Sequence, residues 1–199
     1  GDGNDQIWGG TGNDYIEGGA GDDVIRGYNG DVTAAGDNEI YGGDGNDQLW
    51  GGDGNDLLVG GDGNDFIRSG KGNDTMRGGA GDDFYYVASG SGTKHIEDTE
   101  GHNVIVFEGQ FRLVDTRLSL GSLVIGDASG STEIHLDGVD YDNLAGTSPI
   151  QEVRFSDGTT MTISQLLDAV PIDIAGATED ADNLRGTSGR EIIYALGGD

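Results

Sequence analysis

The sequence predicts an all-β protein: a parallel β-solenoid followed by a β-sheet region that caps it. Three observations carry this. A nine-residue unit recurs through residues 1–86, 40 of the 199 residues are glycine against only two prolines, and one apolar residue returns at the same place in every unit. The repeat is most regular from Gly42 to Arg68, which reads GGDGNDQLW, GGDGNDLLV, GGDGNDFIR.

The units run in order from the first residue. Gly1–Trp8 lacks its first position; Gly9–Glu17 and Gly18–Arg26 are complete; Gly27–Tyr41 carries six extra residues. Units five to seven fill Gly42–Arg68, and Ser69–Arg77 and Gly78–Tyr86 bring the number to nine. Position eight reads Ile7, Ile16, Ile25, Ile40, Leu49, Leu58, Ile67, Met76 and Tyr85. One apolar residue between polar neighbours predicts a three-residue strand with its middle side chain inward. The glycines before it predict a turn. A turn and a strand make half a coil, so units two apart stack on the same side.

After Tyr86 the period is lost, and ordinary sheet is expected through residue 163, with strands at 84–88, 94–97, 103–108, 117–120, 122–125, 132–136, 151–155 and 160–163. Ser156-Asp157-Gly158 reads as a turn, and Ser164 as the cap of a short helix, Gln165–Ala169, ended by Pro171. This region, 87–172, is expected to close the open end of the solenoid, which would otherwise expose unpaired backbone. From residue 173 the period resumes in Gly186–Tyr194 and Ala195–Asp199, the start of a second, truncated block. The chain reads as a piece of a longer protein, so missing targeting signals carry no weight.

Composition excludes several functions. With 37 acidic and 10 basic residues, the net charge of −27 opposes binding to nucleic acid or an anionic membrane. The absence of cysteine removes disulfides and thiolate metal sites. No apolar run reaches a membrane span, about 18 residues. No nucleophile elbow, H-E-x-x-H or phosphate loop is present, so an enzyme is not expected. His95, His102 and His135 read as strand or surface residues, and Trp8, Trp50 and Tyr86, all at position nine, as a stripe that packs against residues 87–170.

The chemistry lies at position six: Asp5, Asp14, Asp23, Asn38, Asp47, Asp56, Asp65, Asp74 and Asp83. Stacking makes two ladders of these, with rungs about 4.8 Å apart, too close for carboxylates to stay ionised without cations. Lysine and arginine are too few. A hard divalent ion that accepts backbone carbonyls fits, and calcium suits such a cage better than magnesium. Asn38 and the adjacent insertion should weaken their site or recruit Asp31 or Asp37, and Ser69 and Lys71 blur unit eight.

These units resemble the G-G-x-G-x-D-x-U-x nonapeptide of the RTX (repeats-in-toxin, haemolysin-type) calcium-binding family. The likeness is close over 1–86 and weak over 177–199, where Glu191 stands at the aspartate place. It implies a parallel β-roll binding several Ca2+ ions, about seven for nine half-coils. It also implies carbonyl ligands at positions one to four. These are Gly9, Gly10, Thr11 and Gly12; Gly18, Gly19, Ala20 and Gly21; Gly42, Gly43, Asp44 and Gly45; Gly51, Gly52, Asp53 and Gly54; Gly60, Gly61, Asp62 and Gly63; Gly70 and Gly72; Gly78, Gly79, Ala80 and Gly81. Between units five and seven the set would be Asp47 and Asp65 with the carbonyls of Gly42, Asp44, Gly61 and Gly63, or the complementary one. The resemblance further implies type I secretion as an unfolded chain and calcium-driven folding outside the cell or at its surface, within a larger toxin, exoenzyme or adhesin. The expected partners are calcium and the rest of the parent chain, with the fragment monomeric. The alternative is an adhesive or ligand-binding solenoid of a cell-surface protein. An ice-binding ladder is not supported, because position three reads Thr11, Ala20, Asn29, Asp44, Asp53, Asp62, Lys71 and Ala80.

Overall fold

The computed structural model describes residues 1–34, 36–98, 100–109, 113–119, 122–127, 130–139, 148–169 and 172–174. The chain forms a β-roll of two facing sheets. Strands β1 (Gln6–Gly10), β3 (Val24–Tyr28), β5 (Gln48–Asp53), β7 (Phe66–Lys71), β9 (Phe84–Ala88) and β11 (Val104–Glu108) stack in that order in one sheet. Strands β2 (Tyr15–Ala20), β4 (Glu39–Asp44), β6 (Leu57–Asp62), β8 (Asp74–Ala80) and β10 (Gly92–Glu97) stack in the other. Each pairing is parallel and joins units two apart, as in Leu49↔Ile67 and Leu58↔Met76. The insertion in unit four leaves the register intact, with Ile16 opposite Ile40 and Ile25 opposite Leu49. Its extra residues form a short 3-10 turn, Val32–Ala34, at the surface.

Complete repeats form strands longer than the expected three residues. β5 and β6 each span six, from position seven through both glycines to position three. Side chains alternate along a strand, so positions six, eight and one share the inward face. The burial around β5 follows this: Asp47, Leu49 and Gly51 are buried, while Gln48 is exposed. The first glycine of each pair is therefore a core position. A methyl group on Gly51 would overlap Asp56 Oδ2 and the Ser69 carbonyl oxygen. Glycine is weak in strands by propensity, and this close approach overrides it.

Position eight from Ile25 to Tyr85 is fully buried and forms one continuous core with Ile96, Ile105, Ile134 and Val153. That continuity corrects the expectation that the period ends at Tyr86. β10 keeps register with β8 through Ile96↔Met76, and β11 with β9 through Ile105↔Tyr85. Ser89–Glu97 (SGSGTKHIE) and Asp98–Val106 (DTEGHNVIV) thus occupy the places of a tenth and an eleventh unit. Val87-Ala88, inserted after unit nine, and non-aspartate residues at position six hide them in the sequence.

Beyond them the sheets change direction. β14 (Thr132–Asp137) and β15 (Glu152–Arg154) continue parallel to β10 and β11. β13 (Ser122–Asp127), β12 (Leu113–Ser119) and β16 (Thr160–Thr162) then pair antiparallel, and β17 (Ile172–Ile174) adds to β12. Ser156-Asp157-Gly158 turns as expected, with the Gly158 N–H donating to the Phe155 carbonyl at 3.0 Å. The helix α1 is Ile163–Ala169 and buries Ile163 and Leu166 against the core cluster. Its cap is Thr162, not Ser164. The Gln165 N–H donates to Thr162 Oγ1 at 3.2 Å and the Thr162 N–H to Gln165 Oε1 at 2.9 Å, a reciprocal capping box. Of the second repeat block expected from residue 173, only Asp173 and Ile174, in β17, are among the described residues.

Leu58→Ala should cost about 2–5 kcal/mol by urea unfolding, because Leu58 fills the thin core between stacked neighbours. Glu39→Ala, on the exposed face of β4, should stay within about 0.5 kcal/mol.

Candidate metal centre

Alternation places the position-six side chain inside the turn, two residues before the core residue. Asp23, Asp47, Asp56, Asp65, Asp74 and Asp83 are all at most 3% exposed. Each carboxylate has one oxygen with a fixed task. The Asp47 N–H donates to Asp65 Oδ1 at 2.8 Å, and the Asp65 N–H to Asp83 Oδ1 at 2.7 Å. The same link joins Asp5 to Asp23, Asp23 to Asp47, Asp14 to Asn38, Asn38 to Asp56, and Asp56 to Asp74. The two expected ladders are therefore present, and backbone-to-carboxylate hydrogen bonds build them.

The second oxygen is the orphan. Oδ2 of Asp14, Asp23, Asp47, Asp56, Asp65 and Asp83 is buried without a hydrogen-bond partner. An ionised carboxylate oxygen in that state is costly unless a cation meets it. Five of the six, those of Asp14, Asp23, Asp47, Asp56 and Asp65, converge with a backbone carbonyl oxygen on a glycine. Asp47 Oδ2 and the Gly60 carbonyl oxygen converge on the inward face of Gly42; Asp23 Oδ2 and the Gly42 carbonyl converge on Gly18; Asp65 Oδ2 and the Gly78 carbonyl converge on Gly60. Burial pushes Asp56, Asp65 and Asp83 up to about 7, with repulsion from neighbouring aspartates adding to it. Burial also raises Asp47. A buried set of carboxylate and carbonyl oxygens without a donor is the donor set of a hard cation such as calcium. Asp5, at the first rung, is partly exposed, with Oδ2 3.5 Å from the Gly1 amino group.

Three positions depart from this pattern. Asn38 Nδ2 donates to the carbonyls of Gly36 at 2.9 Å and Gly51 at 3.2 Å, so an amide sits where the other rungs present an orphan oxygen. Oδ1 of Asp31 and of Asp37 is engaged elsewhere, so of the two expected outcomes the geometry favours a weakened site. Asp31 Oδ1 accepts from the Thr33 N–H and hydroxyl, and Asp37 Oδ1 from Asn55. At Asp74, Oδ2 accepts from Lys94. At Asp83, the Asp98 carboxylate and the Tyr85 hydroxyl converge with Asp83 Oδ2 on Gly78, and Tyr85 donates to Asp98 Oδ2 at 2.5 Å. Asp98 was not among the sequence candidates, and it lies at position one of the hidden eleventh unit. Of the two residues that blur unit eight, Ser69 is buried, and Lys71 pairs at the surface with Asp53 at 3.2 Å.

A further ladder was missed altogether. Position five carries Asn or Asp in all nine units: Asn4, Asn13, Asp22, Asp37, Asn46, Asn55, Asn64, Asn73 and Asp82. Its side chains accept N–H groups in the opposite sense to position six, as in Asp22 N–H to Asn4 Oδ1 at 3.0 Å and Asn64 N–H to Asn46 Oδ1 at 2.9 Å. The residue type at this nominally free position was the available signal.

Among the described residues, the aromatic stripe is not buried against residues 87–170 as expected. Trp50 packs on Phe66 and under Arg26, Phe66 stacks on Tyr86 at 4.2 Å, and Trp8 remains exposed. His95 and His135 lie side by side on β10 and β14, rings stacked at 4.6 Å, with His95 Nδ1 2.9 Å from Asp137 Oδ2. The other Asp137 oxygen accepts from the Ser122 hydroxyl, so this outer cluster is internally hydrogen-bonded. Among the described residues no helix is long and apolar enough to cross a membrane.

Comparison with known proteins agrees with this geometry. No curated protein matches the sequence. An aligned solved structure is the extracellular lipase LipA from Serratia marcescens, at 19% identity over 70% of this chain and 37% of that one, with a TM-score of 0.19. A likeness that slight carries no argument. The model of the RTX calcium-binding nonapeptide repeat matches in four copies, at residues 1–34, 32–67, 59–93 and 176–199. With more than half its length so matched and its aspartates stacked in two ladders, the chain belongs to the family of RTX calcium-binding nonapeptide-repeat proteins, as a calcium-binding β-roll.

Proposed function

We propose that this β-roll folds on binding extracellular calcium and so serves the secretion and stabilisation of a larger protein. The observation that carries the reading is the row of buried, unpartnered Asp Oδ2 atoms. They leave the roll short of cations unless ions enter between coils. One ion is assigned to each orphan: between units two and four, three and five, five and seven, six and eight, seven and nine, and at Asp83 with Asp98. This is a smaller set than the about seven sandwiched ions expected from nine half-coils. No ion is assigned to Asn38, whose amide already meets the carbonyls.

For units five and seven the convergence of Asp47 Oδ2 with the Gly60 carbonyl favours the complementary ligand set. That set is Asp47 and Asp65 with the carbonyls of Gly43, Gly45, Gly60 and Asp62. Calcium would supply the positive charge the sequence lacks and join adjacent coils. At low calcium the ladders repel, and short strands with a thin core do not offset chain entropy. Export as an unfolded chain followed by folding in a calcium-rich exterior fits this physics. Residues 1–86 then carry the aspartate ladders, 87–172 add two further coils and the cap, and 173–199 start a second block, with the family match at 176–199 in support. Catalysis, if the parent has it, is assigned elsewhere.

Calcium titration followed by circular dichroism tests this. The β signal should grow cooperatively with calcium and disappear with chelator; a β signal and melting temperature indifferent to calcium would sink the proposal. Asp65→Asn should fold in saturating calcium with one fewer bound ion, because its amide can take the part that Asn38 plays.

Protons compete with calcium at the same oxygens. A carboxyl whose pKa in the metal-free fold is raised stabilises that fold fully below its unfolded value, and the stabilisation is lost as pH rises through the folded value. With Asp56, Asp65 and Asp83 at about 7 in the fold, the window runs from about 4 to 7. In chelator, acidification from pH 7 to 4 should increase β structure. In calcium, the same change should raise the calcium midpoint, and binding near pH 6.5 should release protons measurable by titration in two buffers.

A further inference from the structure

One of the two ladders ends on a lysine. In the register of β8 and β10, Lys94 lies opposite Asp74 and Ile96 opposite Met76, so Lys94 holds position six of the tenth unit. We propose that the Lys94 ammonium is the resident cation of the last site of this ladder. It stands where calcium stands at the other rungs, and it closes this rung without metal. The inference rests on the calcium reading above.

The contacts define the site. Lys94 Nζ donates to Asp74 Oδ2 at 2.7 Å, the Gly72 carbonyl at 2.9 Å and the Ser91 carbonyl at 2.6 Å. These are the carboxylate oxygen and the position-four carbonyl of one unit, and the position-three carbonyl of the unit stacked on it. The same atom types, from the same repeat positions, make up the calcium set proposed between units five and seven. The three N–H donors of the ammonium are all engaged. Lys94 and Asp74 are both fully buried. Asp74 is correspondingly free of the orphan oxygen that marks Asp14, Asp23, Asp47, Asp56, Asp65 and Asp83.

An incidental ion pair would not have to meet two carbonyls of the coil. This one meets both, from the side chain that replaces the family's aspartate. An ammonium differs from calcium in being covalently present at any calcium concentration. The rung between units eight and ten is therefore fixed, and the calcium-dependent coils begin next to a coil that needs none. The other ladder ends comparably on an amide: Asn103, opposite Asp83 in register, donates through Nδ2 to the carbonyls of Glu100 at 2.8 Å and Pro149 at 3.1 Å.

The test counts calcium ions per chain in the calcium-saturated whole chain, by equilibrium dialysis and atomic emission, with folding followed by circular dichroism. Lys94→Asp restores the family residue and should bind one more ion than the wild type. Lys94→Met should bind no additional ion and should need a few-fold more calcium to fold, since it leaves a buried carboxylate without a cation. A Lys94→Asp chain with the wild-type count, or one that fails to fold in saturating calcium, overturns the proposal. So does a Lys94→Met chain that folds at the wild-type midpoint. If the wild type binds several ions while Lys94→Asp gains none, only this inference falls. A wild type that binds none removes the calcium reading and this one together.

Discussion

A carboxylate with one oxygen committed and the other stranded governs this structure. The committed oxygen accepts the N–H of the stacked turn, as Asp65 Oδ1 does from Asp47. The stranded oxygen is inside because position six has the same parity as the core residue at position eight. Turning the aspartate outward would break the ladder bond, and removing it would leave a buried N–H unpaired. The coil can keep its stacking only by bringing positive charge inside, and with 10 basic residues against 37 acidic ones the chain itself meets that need at one described rung, Asp74 with Lys94. The glycines follow from the same constraint. Beside each orphan oxygen position one is glycine, because the carboxylate occupies the space a methyl group would take.

The turn is held twice, in opposite senses. Position six accepts from the preceding coil of its ladder, and position five accepts from the following one. The three-residue turn at positions four to six opens on a positive-φ glycine and has little intrinsic stiffness. Two counter-running rows of side-chain acceptors replace the backbone pairing that its positive-φ conformation does not provide. The rows also explain why unit four tolerates its insertion. Asp37 and Asn38 arrive in register on the far side of the extra residues, and both ladder bonds form across it.

The legible part of the sequence was whatever a single residue type repeats. The core residue and the aspartate recur through the units, so the coil, its stacking order and the two ladders follow from the amino acids alone. The strand limits do not. Glycine favours turns, and only the close approach of Asp56 and Ser69 around Gly51 reveals a glycine built into a strand. Units ten and eleven were hidden because Lys94 and Asn103 stand at position six and Val87-Ala88 shifts the count. The helix cap was legible but misassigned: Thr162-x-x-Gln165 is a capping box, and Ser164 merely lies inside it. Asp98 carries no motif at all. Its part emerges only where the chain brings it beside Asp83 and Tyr85.

One position thus has three chemistries, carboxylate, amide and ammonium, and they differ in what they leave unpaired. An aspartate rung satisfies one oxygen and strands another, so each such rung requires an ion between itself and the next coil. An amide or an ammonium strands nothing, since its donors meet the carbonyls directly, and the requirement ends there. Next in register beyond Lys94 is Ile134, fully buried, a residue that can neither ligate nor donate. Beyond Asn103 the Gln151 side chain still accepts the ladder N–H at 2.7 Å, but its Nε2 donates onward to the Ser148 carbonyl. The aspartates therefore give way first to donors and then to an ordinary hydrophobic and amide interior, as parallel coils give way to antiparallel hairpins. Lys94, Asn103 and the interior beyond them present donors or apolar groups where the aspartate rungs present stranded oxygens, so the need for cations lessens toward this end of the roll.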